Sequence, residues 1–95
     1  VGMKFKAIHA PGHTAGSLVF VVDDELLVSG DVLFAGSIGR TDLPGGSAEA
    51  MEQTLRKKIM PLADHLRVLP GHYGESTMAA EKKTNPYLTA LKGRY

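Results

Sequence analysis

The sequence predicts an α/β domain, a mixed sheet with helices on one face. Three observations carry that expectation. Leu18 to Val22 and Leu26 to Val28 are apolar at every position, and Asp23-Asp24 between them supplies turn chemistry. A capped amphipathic stretch follows Ser47. A short strand-like run, Arg67 to Leu69, then precedes two further helical segments.

Taken in order, Met3 to Ile8 alternates, with Phe5 and Ala7 on one side and Lys4 and Lys6 on the other, as in a half-exposed strand. The two continuous apolar runs form a hairpin whose strands are expected to be covered on both faces. The chain's own helices can supply one cover, and the other must come from elsewhere. Phe34 to Ser47 reads as a glycine-rich loop ending near Pro44-Gly45-Gly46. Ser47 is a good N-cap, with Glu49 and Glu52 in the early turns and Lys57 and Lys58 in the last. Met51, Leu55 and Ile59 fall on one helical stripe, and Pro61 stops the helix. A second helix is expected from Ser76 to about Asn85, and Asn85-Pro86 opens a last short helix closing at Gly93.

Composition narrows the function. Ninety-five residues make one small domain or a piece of a larger one, burying roughly 60–70% of the unfolded surface. Hydrophobic content of 43% and charge of 22% belong to a globular protein and argue against disorder. The net charge of +1 is spread without a basic stripe, which argues against nucleic acid as a partner. With no cysteine, the chain has no disulfide, thiolate nucleophile or thiolate zinc site. No apolar run reaches membrane-span length and no signal-peptide pattern opens the chain, so no membrane association and a cytoplasmic location are expected.

The chemistry-bearing residues sit at strand ends. Pro11-Gly12-His13 follows the first strand, Ser29-Gly30-Asp31 follows the third, and Leu69-Pro70-Gly71-His72 ends the last. That layout brings His13, Asp31 and His72 to one edge of the sheet. Two imidazoles and a carboxylate suit zinc, iron(II) or manganese, and a carboxylate can bridge two ions. His9 lies four residues before His13, but Pro11 rules out the helical geometry that would make them a ligand pair, and His9 is expected to be structural. His65 stands in a polar connection and is expected to be exposed. Arg40 and Asp42 lie in a loop beside the site, where an internal ion pair stiffening the loop is the leading expectation and substrate contact by Arg40 the alternative. Tyr73 could hydrogen-bond a substrate or simply pack. No nucleophile elbow, P-loop or dinucleotide fingerprint is present.

The runs His9-Ala10-Pro11-Gly12-His13-Thr14, Ser29-Gly30-Asp31 and Leu69-Pro70-Gly71-His72 together resemble the metallo-β-lactamase superfamily. The Glu81 to Pro86 segment fits that superfamily as well, and Gly39-Arg40-Thr41-Asp42 resembles its glyoxalase II-like branch, the hydroxyacylglutathione hydrolases and their short relatives. The resemblance implies the C-terminal half of an αββα sandwich, with a centre for two zinc ions, or iron or manganese, between two sheets. His13 would complete the first metal's histidine set, Asp31 would bridge both ions as the catalytic carboxylate, and His72 would bind the second. A metal-activated hydroxide would attack a small-molecule thioester, with the metals stabilising the oxyanion.

The family's H-x-H-x-D-H motif is absent from this chain. Residues 1–95 are therefore expected to form a single partial domain that is not an efficient enzyme alone. Its bare sheet face, around Leu18, Phe20 and Val22, is expected to meet the missing N-terminal half of the fold or to self-associate. Two alternatives accompany the thioesterase expectation: an iron-dependent persulfide dioxygenase-like enzyme, and a non-catalytic half-domain acting in assembly. The resemblance makes β-lactam hydrolysis less apt, because the loop points to the thioesterase branch, and the balanced charge disfavours a nuclease.

Overall fold

The computed structural model describes residues 4–71 and 74–92. Its main sheet has five strands in the order β1 (Phe5–His9), β2 (Leu18–Val22), β3 (Leu26–Gly30), β6 (Arg67–Pro70) and β7 (Ser76–Thr77). All neighbours are antiparallel except β3 and β6, which run parallel. Strands β1, β3 and β6 consequently point the same way, and their C-terminal ends share one edge. The mixed sheet expected from the sequence is present.

Asp23 and Asp24 both take positive φ, 53° and 54°, which is the type I′ geometry that suits the twist of a two-residue hairpin. Register then sorts the side chains. Ile8, Val19, Val21, Leu27 and Val68 fall on the helix-covered face, where Val19, Leu27 and Val68 are fully buried. Phe5, Ala7, Leu18, Phe20 and Val28 fall on the other. On that face Phe5 is 65% exposed and Leu18 46%, but Phe20 is half-buried, so the expected bare face is present only in part. Val22 departs from expectation and is buried, flanked in register by Phe5 and Leu26. Strand β1 differs as well. Its apolar Phe5 and Ala7 face outward, while Lys6 shares the covered side with Ile8, which packs on the core.

Ser47 caps α1 (Ala48–Thr54), its side chain accepting from the Ala50 N–H. Met51, Leu55 and Ile59 are all buried, as their spacing predicts. The single helix expected there divides: residues Leu55–Ile59 widen into a π turn, with the Met60 N–H reaching the Leu55 carbonyl. The widening comes just before Pro61, whose ring would press on the carbonyl four residues back in a regular helix. Replacing Ser47 by alanine is expected to cost about 1 kcal/mol, read as a lower urea midpoint at unchanged slope.

Two other departures are local. The loop expected from Phe34 contains a small hairpin, β4 (Leu33–Phe34) with β5 (Ser37–Ile38). Ser76 belongs to β7 and pairs with Val68, so the next helix, α2 (Met78–Thr84), is capped by Thr77 instead. Asn85 opens α3 (Pro86–Lys92) by accepting from the Tyr87 N–H, and the expected close at Gly93 lies outside the described residues.

Candidate metal centre

The edge shared by the ends of β1, β3 and β6 carries the site. After β1, Pro11-Gly12 turns the chain so that His13 faces back over the sheet edge. The helix α1 fixes that turn from below: the Ser47 N–H donates to the Gly12 carbonyl at 2.7 Å and the Thr54 hydroxyl to the Pro11 carbonyl at 2.6 Å. Gly12, at φ 145°, lies so close to Met51 that a Cβ there would sit 2.6 Å from the Met51 backbone. Only glycine meets both demands.

After β3, Gly30 takes φ 50° and permits the tight exit that the sequence suggests. The buried Ser29 hydroxyl donates to the Leu33 carbonyl, and the Val32 N–H to the Ser29 carbonyl. These two bonds close a turn that holds Asp31. At the end of β6, the Gly71 N–H donates to the Gly30 carbonyl at 2.8 Å, and a Cβ on Gly71 would lie 3.2 Å from Asp31 Oδ1. Strand β6 therefore ends against the Asp31 carboxylate.

His13 Nε2 and Asp31 Oδ2 are 3.8 Å apart, with the side chains 24% and 45% exposed. That is too long for a direct hydrogen bond but short enough for one ion to bond both, since zinc–ligand bonds are about 2.0–2.2 Å. The other ring nitrogen, Nδ1, donates to the Arg40 carbonyl at 2.8 Å, an arrangement typical of histidines that bind metal through the opposite nitrogen. His13 and Asp31 thus fit one cation from two sides. Expected ligand His72, and Tyr73, lie outside the described residues. Among the described residues no group of three potential ligands converges.

His9 and His65 have other partners: His9 Nε2 donates to the Ala15 carbonyl and His65 Nε2 to the Asp24 carbonyl. Arg40 forms a two-pronged pair with Asp42, Nε to Oδ1 and Nη2 to Oδ2, both 3.0 Å. Its hydrogen bonds hold the Asp42 carboxyl below its ordinary range and raise the guanidinium. Both side chains are well exposed, so the pair stiffens the loop more than it stabilises the fold. A groove of about 460 Å³ between α1 and α3, lined by Met51, Leu55, Tyr87 and Leu91, includes neither His13 nor Asp31.

Sequence reasoning missed two supports. Gly39 is pressed against the site, and a Cβ there would come within 1.8 Å of the Asp31 carbonyl oxygen and 3.3 Å of His13 Cβ. The second is Glu81, buried on α2. It accepts from the Gly36 N–H and from Asn85 Nδ2, both at 2.9 Å, and from the Ser76 hydroxyl. Asn85 also donates to the Phe34 and Ser37 carbonyls. Together they tie down the β4–β5 hairpin that leads into Gly39 and Arg40. The family resemblance includes Glu81, but the local pattern shows only an acid in a helix's first turn, which reads as solvent-facing.

The family profile described as the metallo-beta-lactamase superfamily matches residues 1–73, and the chain belongs to that superfamily. It is 40% identical over 90 residues to hydroxyacylglutathione hydrolase GloC of Haemophilus influenzae, an alignment covering 94% of this chain and 42% of that protein. Among solved structures it is similar to the BLEG-1 B3 metallo-beta-lactamase, with TM-score 0.85 and 42% identity over 90% of this chain and 41% of the other. It is also similar to TTHA1623 in a di-iron-bound form, with TM-score 0.80 and 40% identity over 88% of this chain and 42% of the other. The chain thus spans about two fifths of the length of the proteins it matches.

Proposed function

We propose that this chain supplies the second half of the metal centre of a thioester hydrolase of the hydroxyacylglutathione type. The observation that carries the metal reading is the facing pair, His13 Nε2 and Asp31 Oδ2 at 3.8 Å, with the histidine anchored through its other nitrogen. The thioester class is supported by the 40% identity to a protein named hydroxyacylglutathione hydrolase. His13, Asp31 and His72 would hold the metal from this side, and the H-x-H-x-D-H ligands would come from a second polypeptide segment. Two zinc ions are proposed, with iron or manganese as substitutes; a relative of similar fold is described in a di-iron-bound form.

Bound metal supplies an activated water and an electrophile for a carbonyl oxygen. The chain's own residues do the positioning. Asp31 offers one oxygen to the His13 side while its other lies beside Gly71, an arrangement suited to bridging. The Arg40–Asp42 pair keeps its loop at the mouth of the site, where Arg40 and Tyr73 would meet a substrate. The segment that completes the site would also cover Phe5, Leu18 and Val28, and the assembled protein would be cytoplasmic.

The test is co-expression with a polypeptide bearing H-x-H-x-D-H from a relative, followed by assay on a hydroxyacylglutathione thioester. Recovered thioester cleavage, absent from the 95-residue chain alone, is the expected result. Oxygen uptake on a persulfide with one iron bound would instead select the dioxygenase alternative. A stable complex with neither metal nor turnover would select the assembly module. If the chain alone is measured by light scattering, self-association through the bare face is expected, and a clean monomer would count against it.

A further inference from the structure

We infer that the main-chain carbonyl of Arg40, brought against His13 because Gly39 has no side chain, fixes His13 as the Nδ1–H tautomer before any metal arrives. Gly39 is thereby a positioning residue. The inference deepens the metal-centre reading and rests on it for its purpose, though not for its test.

A carbonyl oxygen can only accept, so the His13 nitrogen 2.8 Å from the Arg40 carbonyl must carry the proton. In the neutral ring this leaves Nε2 bare, and Nε2 is the atom that faces Asp31. Solvated histidine side chains favour the opposite tautomer, with the proton on Nε2. A ring in that form would have to exchange its proton before binding metal here. The Arg40 carbonyl removes that step.

Gly39 is what allows the carbonyl to be there. Its N–H donates to the Val32 carbonyl at 3.3 Å, holding the segment along the Asp31 turn. Any Cβ at this position would collide with the Asp31 backbone at 1.8 Å, a contact no rotamer relieves. The Arg40 side chain is not involved, because it is occupied by Asp42 on the exposed side. His9 and His65 provide opposite cases within one molecule. Each donates from Nε2 to a carbonyl, so each is fixed as the Nε2–H form.

The experiment is a long-range proton–nitrogen correlation spectrum of the metal-free, nitrogen-15-labelled chain. It is recorded near about pH 8.5, above the ordinary imidazole pKa of about 6.5. Rings are assigned by single His→Gln substitutions. His13 is expected to show the Nδ1–H pattern while His9 and His65 show the Nε2–H pattern. Arg40→Ala retains the carbonyl and should leave His13 unchanged, whereas Gly39→Ala should convert it to the Nε2–H pattern with His65 unaffected. An Nε2–H pattern at His13 in the unsubstituted chain overturns the inference, and that spectrum needs no variant to fold. Persistence of the Nδ1–H pattern in folded Gly39→Ala removes the role given to Gly39. Zinc added to the chain co-expressed with the H-x-H-x-D-H segment should move the His13 Nε2 resonance. No movement, with the Nδ1–H pattern present, counts against the metal-centre reading alone.

Discussion

Replacing Asp31 by asparagine is expected to lower the zinc affinity of the assembled protein by more than about 100-fold, since loss of an outer partner of a metal ligand already costs about 10–100-fold. The amide keeps the shape of the side chain but removes its charge and half of its acceptor capacity. The turn that carries it is closed by Ser29, Val32 and Leu33 main-chain and hydroxyl bonds, which the substitution leaves in place. A competition titration against a chromophoric chelator reads the change. His65→Gln serves as the comparison, because His65 is exposed and bonds to the Asp24 carbonyl far from the sheet edge that holds the site. Unchanged zinc affinity in the Asp31 variant would remove this residue from the centre.

The second large effect is on stability. Glu81→Ala is expected to cost about 2–4 kcal/mol, because the Gly36 N–H and the Ser76 hydroxyl lose their acceptor and Asn85 Nδ2 keeps only the Phe34 and Ser37 carbonyls. Each lost partner counts for about 1–3 kcal/mol, against a total of about 5–15 kcal/mol for an ordinary domain. Glu81→Gln keeps one carbonyl acceptor and should recover part of the loss. Urea unfolding checks both, and amide exchange at Gly36 localises the damage. A loss below about 1 kcal/mol for the alanine variant would mean that water replaces the carboxylate without difficulty.

Much of this was legible from local pattern. Asp23-Asp24 between two apolar runs specifies a hairpin, and Ser47 before the Met51, Leu55, Ile59 stripe specifies a capped helix; both are present. The placement of His13 and Asp31 followed from topology, because residues just beyond like-directed strands must meet at one edge. What could not be read were features made by main-chain atoms or distant partners. The acceptor for His13 is a carbonyl 27 residues away, and a carbonyl is the same at every position. Gly36 and Glu81 are 45 residues apart, so nothing local marks that glutamate as buried. Strand β7 has two residues, too few for any period to register.

The parallel pairing of β3 with β6 has a further consequence. Leu26 lies opposite Arg67, so the intervening stretch of about forty residues is one closed loop anchored at both ends by the sheet. The entropy of closing such a loop grows only logarithmically, by about 0.6 kcal/mol for each doubling of length. Insertions within it are therefore cheap, provided they avoid α1 and the Gly39 contact. The strands that fix Asp31 at one anchor and Gly71 at the other would keep their register throughout. The surroundings of the site can be lengthened or recut while the ligand-bearing ends of the sheet stay where they are.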